Sequence, residues 1–405
     1  MPHRILILTN RVPYPFTDGG NLAMHAMIEG YYRAGWEVYL LAMNTKRHPV
    51  PDTVLRTAYS HIQYVETVPV DNSVKLAHTI TNLLFSKQPN HADRFSHRQF
   101  ADKLVEVLKK FQPDIVQLES LYLASYLPSI KKYCKAHTIL RLHNVEHEVW
   151  QRLAVETVNP LKKWYLNNLS RRIKKFEHDI WPRFDLLLPI TKADENVVKQ
   201  VMDSVRTIVV PFAIDTSLLP ITAKEAQWNA YHIGAMDWLP NIEAIKWFLD
   251  EVWPSVHLAH PQFKFFFAGR KMPVEFTQIT YPGVVCEGEV ADAFDFIGDK
   301  KILVVPLRSG GGIRIKVMEA MAAGKIVIST TVGMQGIDAV PGVHYLLANT
   351  AAEFAQAITF CLHDQKQANV IAAMGAGFIQ QEYSYTHIMN TFMGKLEDML
   401  MDNRA

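Results

Sequence analysis

One rhythm constrains this chain more than any other feature. A short apolar run is followed by a break, a helical stretch and another apolar run. In the first half the runs are RILILT, EVYLLAM, DIVQLE, HTILRLH and DLLLPIT; in the second they are IVVPFAI, AYHIGAM, FKFFFAG, ILVVPL and IVIST. Near-continuous apolar runs of this length suit strands buried on both faces. Helical stretches between them imply βαβ units and parallel sheets. That many strands over 405 residues, 49% of them hydrophobic, predict an α/β protein of two doubly wound domains, each with its own core. The break in the rhythm is PFAIDTSLLPITAKEAQ, Pro211 to Gln227, so the predicted domains are 1–205 and 206–380. The stretch 381–405 has helical spacing and is free to pack on either domain.

Composition excludes several classes. Charged residues make up 20% and the formal net charge is +2, so neither disorder nor a global electrostatic case for nucleic acid is supported. Cys134, Cys286 and Cys361 are scattered and odd in number, which reads as reduced thiols in a cytoplasmic protein. No apolar run approaches the roughly 18 residues a spanning helix needs.

In open parallel sheets ligands bind beyond the carboxyl ends of the strands, and with two such domains the expected site is the cleft between them. Four strand ends carry candidate residues. After the first strand, Gly19 and Gly20 stand near the start of a helix, where the backbone can approach an anion closely; a plain strand-to-helix turn is the alternative. After ILVVPL, the sequence Arg308-Ser309-Gly310-Gly311-Gly312 leads into a helix expected over about 313–323. Wound at 100° per residue, that helix is apolar almost all round. Lys316 and Glu319 are the exceptions, about 60° apart, and Arg314 falls in the expected first turn. The functional reading is that Arg314 and Lys316 neutralise phosphate while Glu319 accepts from sugar hydroxyls; the plain one is a surface Lys–Glu pair. After VVCEGE, the turn at Val290 could offer backbone groups to a base, or be an ordinary loop.

The fourth strand end is HTILRLHNVEHEVW, in which His143, Glu146 and His147 spell H-x-x-E-H. As zinc ligands the two histidines must share one helix. Here the strand is expected to finish near Leu142 or His143, so His143 reads instead as a catalytic or substrate-positioning group. A further stretch, 162–175, carries six basic and no acidic residues interleaved with Trp164, Tyr165, Leu166, Leu169 and Ile173. It reads as a solvated helix face or as a weak peripheral contact with an anionic membrane.

Taken together, ILILTNRVPYPFTDGGN, RLHNVEHEVWQR, YHIGAMDWLPNIEAIKWF and VVPLRSGGGIRIKVMEAMAAGKIVIST resemble the family 4 retaining glycosyltransferases. The resemblance implies the GT-B architecture: two Rossmann-like domains facing across a cleft, the nucleotide-sugar donor on the C-terminal one and a glycan or lipid-linked acceptor on the N-terminal one. It implies that the terminal helix crosses back to the first domain. It places Gly19 and Gly20 by the donor phosphates, His143 by the transferred sugar, Glu319 on the ribose and Val290 by the base. Two departures stand out. Gly311 occupies the position of the first glutamate of the family's E-x7-E motif, so contacts to the sugar come from the Gly311 and Gly312 N–H groups or are missing. The segment GAMDWLPN lacks the Arg and Lys that hold the diphosphate in many members, so Arg314 and Lys316 are expected to take that role. No D-x-D-like carboxylate pair stands where a metal would be needed, so no metal or other cofactor is expected. The resulting expectation is a cytoplasmic transferase, peripheral at the inner membrane face at most, and active in polysaccharide, glycan or glycolipid synthesis. The alternatives are a nucleotide-sugar epimerase of the same fold, a zinc hydrolase using His143, Glu146 and His147, and a non-catalytic nucleotide-sugar-binding module.

Overall fold

A computed structural model describes residues 2–16, 19–73, 93–215 and 226–402. The chain divides into two compact units, Met1–Phe212 with Ile388–Ala405, and Ala213–His387. Each unit is built on one six-stranded sheet, all parallel, as the alternation of apolar runs predicts.

In the first unit the strands are β1 (Arg4–Thr9), β2 (Glu37–Thr45), β3 (Tyr64–Val70), β4 (Ile115–Leu118), β5 (His137–Leu142) and β6 (Leu186–Pro189), in the order β3-β2-β1-β4-β5-β6. The chain reverses its winding between β1 and β4, and that reversal opens a crevice at their carboxyl ends. The central strands β1 and β4 are buried almost throughout, which is why they read as mostly apolar runs. β3 was not anticipated. It is an edge strand of mixed exposure, YVETVPV, with Glu66, Thr67 and Pro69 interrupting the pattern.

The second unit repeats the plan with β7 (Gln227–Ile233), β8 (Phe265–Ala268), β9 (Val284–Gly288), β10 (Lys300–Val305), β11 (Ile326–Ser329) and β12 (Leu346–Leu347). Its order is β12-β11-β10-β7-β8-β9, so the switch point lies between β7 and β10. β12, another short edge strand, was also unanticipated.

One apolar run is not a strand. IVVPFAI, residues 208–214, lies beside β6 instead: the Ile208 and Val210 amides donate to Leu187 and Pro189 carbonyls at 3.1 and 2.9 Å. Pro211 has no N–H to continue a ladder there. The expected boundary segment 211–227 falls partly on 216–225, outside the described residues.

The last helix, Tyr385–Asp402, places Met389 and Phe392 in the first unit. Phe392 stands 5.8 Å from the Tyr31 ring, edge to face, and Met389 fills the space where Gly30 has no Cβ. The basic helix, Pro160–Ile180, turns Leu166, Leu169 and Ile173 into the core of the first unit. Its main apolar stripe is therefore committed to folding, while Leu161 and Trp164 stay exposed, and nothing in the fold supports the membrane contact expected through 162–175. Among the described residues no helix is long and apolar enough to cross a membrane.

Candidate functional site

In the second unit the Gly-rich segment leaves β10 at the switch point, beside the turn that leaves β7. Gly310 and Gly312 have φ of +102° and +86°, a region where a Cβ is strained. A Cβ at Gly310 would also come within 2.7 Å of the Trp238 ring. Gly311 and Gly312 are exposed.

The helix after this loop is Ile315–Ala322, two residues later than expected, and Arg314 is its N-cap residue. The loop takes up residues 313 and 314 because Arg314 folds back on it. Its Nη1 donates to the Gly311 carbonyl and, at 2.7 Å, to that of Gly312. Its guanidinium lies 4.8 Å from the centre of the Trp238 ring, a stacking arrangement that suits arginine. Nε and Nη2 are buried and have no hydrogen-bond partner among the described residues. Burial holds its pKa down at about 10. A cation sequestered with two donors unused and no carboxylate beside it is incomplete without an anion.

Lys316 is nearly half exposed and pairs with the more buried Glu319 at 2.9 Å. The helix buries Val317, Met318, Ala320 and Met321, so it is apolar on one broad face and charged on the other. Glu319 lies close enough to Tyr231 on β7 to push that phenol up further, burial being the larger cause. Arg314, Glu319 and Tyr231 therefore gather around the switch point. Val290 is half-buried at the carboxyl end of β9, two strands away from β7.

In the first unit Gly19 and Gly20 open the helix Gly19–Arg33, which follows β1. His143 follows β5 by one residue, and the next helix, Glu146–Glu156, begins three residues later. The H-x-x-E-H spelling thus straddles a turn. His143 Nε2 lies 3.0 Å from Glu119 Oε2, whereas His147 Nδ1 lies 2.5 Å from Glu177 Oε2. The two histidines serve different carboxylates, and among the described residues no cluster of His, Cys, Asp and Glu could hold a metal ion. The zinc reading is corrected accordingly. Glu177 also accepts from the Glu146 and His147 amides at 2.8 and 3.2 Å, capping the helix with a buried carboxylate.

Glu119 escaped the sequence reading. It closes the run DIVQLE at the carboxyl end of β4, on the switch point, and a lone acid ending an apolar run was the available signal. Glu146 has a different fate from a zinc-bound water's base. It is half-buried and accepts from the Tyr122 hydroxyl at 2.8 Å. Burial, with Glu177 nearby, raises its pKa from 4.5 to about 7. Between those values the folded chain keeps a proton that the unfolded chain has released. The stability this group contributes is complete below pH 4.5 and is lost as pH rises through 7. Glu146→Gln cannot ionise, so its advantage over the native chain should be absent near pH 4 and reach on the order of 2 kcal/mol at pH 8. Unfolding at the two pH values measures this; an equal difference at both contradicts the assignment.

Residues 229–364 match the family model described as Glycosyl transferases group 1. A protein of the cps region of Klebsiella pneumoniae, described as uncharacterized, is 22% identical over 96% of this chain and 98% of its own. Among solved structures, sucrose-phosphate synthase from Thermosynechococcus elongatus aligns with a TM-score of 0.67 at 14% identity, covering 99% of this chain and 100% of that one. Anabaena HepE in complex with UDP aligns at 0.66 and 15% identity, covering 98% and 100%. The fold is that of GT-B glycosyltransferases, and the matched segment, which contains the Gly-rich loop and its helix, supports a glycosyltransferase of group 1 type.

Proposed function

We propose that the protein is a retaining glycosyltransferase that moves a sugar from a nucleoside diphosphate to an acceptor hydroxyl in the synthesis of a glycan, polysaccharide or glycolipid. The observation that carries this reading is Arg314, a half-buried cation whose Nε and Nη2 are buried and unused beside a Gly-rich loop at the switch point of the second unit. A diphosphate placed there would meet that guanidinium, the free amides of the loop and the N-terminal dipole of the helix Ile315–Ala322. Lys316 adds positive charge from the same helix, and Glu319 is the acceptor for a ribose hydroxyl. The UDP complex of HepE makes UDP the first nucleotide to test.

In the transfer, the bond from the anomeric carbon to the phosphate oxygen breaks and a bond to the acceptor oxygen forms on the same face. The acceptor proton passes to the departing phosphate. The protein's contribution is positioning and charge stabilisation. Arg314 and Lys316 supply the countercharge, so the reading requires no metal ion. His143, on the first unit, is assigned to a substrate hydroxyl in this scheme.

Binding is tested by thermal unfolding in the presence of UDP, GDP and ADP. One diphosphate should stabilise the chain by about 2.7 kcal/mol at 100 times its dissociation constant, and the matching nucleoside should not. No shift with any of the three at millimolar concentration would remove the donor site. Retention is then read from the anomeric configuration of the product, which must match that of the donor.

A further inference from the structure

At the carboxyl ends of β4 and β5 the first unit buries more charge than folding requires. Glu119 is 1% exposed and Arg141 2% exposed. Taking both out of water is costly, and hydrophobic residues of similar volume would serve a core at least as well. Their partners show what the arrangement fixes. The Tyr31 phenol, held protonated by burial, donates to Gln117 Oε1 at 2.6 Å. That leaves the Gln117 amide N–H to donate to Glu119 Oε1. Arg141 Nε stands 3.7 Å from Glu119 Oε2 and balances its charge. The same Oε2 faces His143 Nε2 at 3.0 Å. Tyr31, Gln117, Glu119 and Arg141 are all buried, whereas the His143 side chain is 21% exposed.

We infer that Glu119 is the positioning residue that fixes His143 in a single tautomer, with Nε2–H turned inward and Nδ1 left for a substrate hydroxyl. An ionised carboxylate can only accept a hydrogen bond, so the ring nitrogen facing it must carry the hydrogen. Gln117 cannot compete for Oε2, because Tyr31 has already set its orientation. Arg141 Nε, 3.7 Å from Oε2, is too far for a hydrogen bond and does not displace the imidazole N–H from that oxygen. In the neutral ring Nδ1 then bears the lone pair and accepts from a substrate hydroxyl. That last step rests on the proposed transfer; the tautomer itself does not. Outer-shell carboxylates of this kind orient functional histidines, and their loss commonly costs 10–100-fold.

The test uses the full chain labelled with 15N-histidine and long-range 1H–15N spectra, with the His143 ring assigned by its disappearance in His143→Ala. The expected native spectrum is the Nε2–H tautomer alone. In Glu119→Gln the carboxamide can present either its oxygen or its NH2 to the ring, so a tautomer mixture or Nδ1–H should appear. An Nδ1–H or averaged ring in the native chain overturns the inference even if the variant fails to fold; an unchanged spectrum in a folded Glu119→Gln chain does so too. With a donor that the binding screen has identified, Glu119→Gln should lower kcat by 10–100-fold and leave UDP affinity within about twofold, because UDP binds the other unit in the proposed scheme. A native chain that shows the Nε2–H tautomer yet binds no nucleoside diphosphate would sink the transferase reading and leave the positioning role standing.

Discussion

Arg314→Met is expected to abolish nucleoside diphosphate binding while leaving the second unit at least as stable as before. The two halves of this expectation have one cause. Burial holds the guanidinium pKa down at about 10, which means that its charge is disfavoured in the folded chain. Nε and Nη2 find no partner, and the two loop carbonyls on Nη1 are neutral. Methionine fills comparable volume against Trp238 and removes the desolvated charge, so the unliganded melting temperature should hold or rise. The diphosphate loses its one sequestered countercharge. Removing a buried partner of a charge pair costs roughly 3 kcal/mol or more, at least a 100-fold loss of affinity. Lys316→Met should cost less, because Lys316 is nearly half exposed and already paired with Glu319. Calorimetric titration with the nucleotide chosen by the thermal screen reads both variants. An Arg314→Met chain that binds within threefold of native would end the phosphate assignment. One that unfolds would show that the guanidinium is a structural strut for the loop carbonyls.

Sequence and structure agree where burial is two-sided. Strands such as β4 and β10 lie between neighbours, so nearly every position is buried and most are apolar, with Gln117, Lys300 and Lys301 the exceptions. The strands that escaped, β3 and β12, lie at sheet edges, where one side meets solvent and polar residues are tolerated. IVVPFAI misled because it pairs with β6 only through the Ile208 and Val210 amides before Pro211, which has no N–H, ends the pairing. The Gly-rich loop was legible because glycine answers to a backbone need that no other residue meets at φ near +100°. The orientation of Arg314 was not, because the helix starts two residues later than its apolar pattern. Glu119 was equally hidden. Its meaning depends on Arg141 and His143 of the neighbouring strand, and register between β4 and β5 is a property of the fold.

The same dependence on register makes a large effect predictable at Gly269, a residue with no chemistry of its own. β7 and β8 leave the sheet side by side, and their ends are cross-linked. The Gly234 amide donates to the Ala268 carbonyl at 3.1 Å, the Met236 amide to Arg270 at 2.9 Å, and the Gly269 amide to Gly288 at 2.8 Å. A Cβ on Gly269 would lie 1.8 Å from the Gly234 carbonyl oxygen and 3.0 Å from Met236 Cγ. The first obstacle is backbone, so no rotamer change relieves it. The turn must move, and the hydrogen bonds that hold three strand ends in line must stretch or break. Gly269→Ala should therefore cost about 3 kcal/mol or more, at the upper end of what overpacking does. The segment it displaces runs from Gly234 to Trp238, and Trp238 is the surface on which Arg314 stacks. Nucleotide affinity should fall with stability, although no atom of residue 269 would touch the ligand. Thermal unfolding and UDP titration of the same variant separate the possibilities. Loss of both supports a turn that holds the Arg314 platform in place, whereas a stable variant with native affinity would show that the strand ends have room to part.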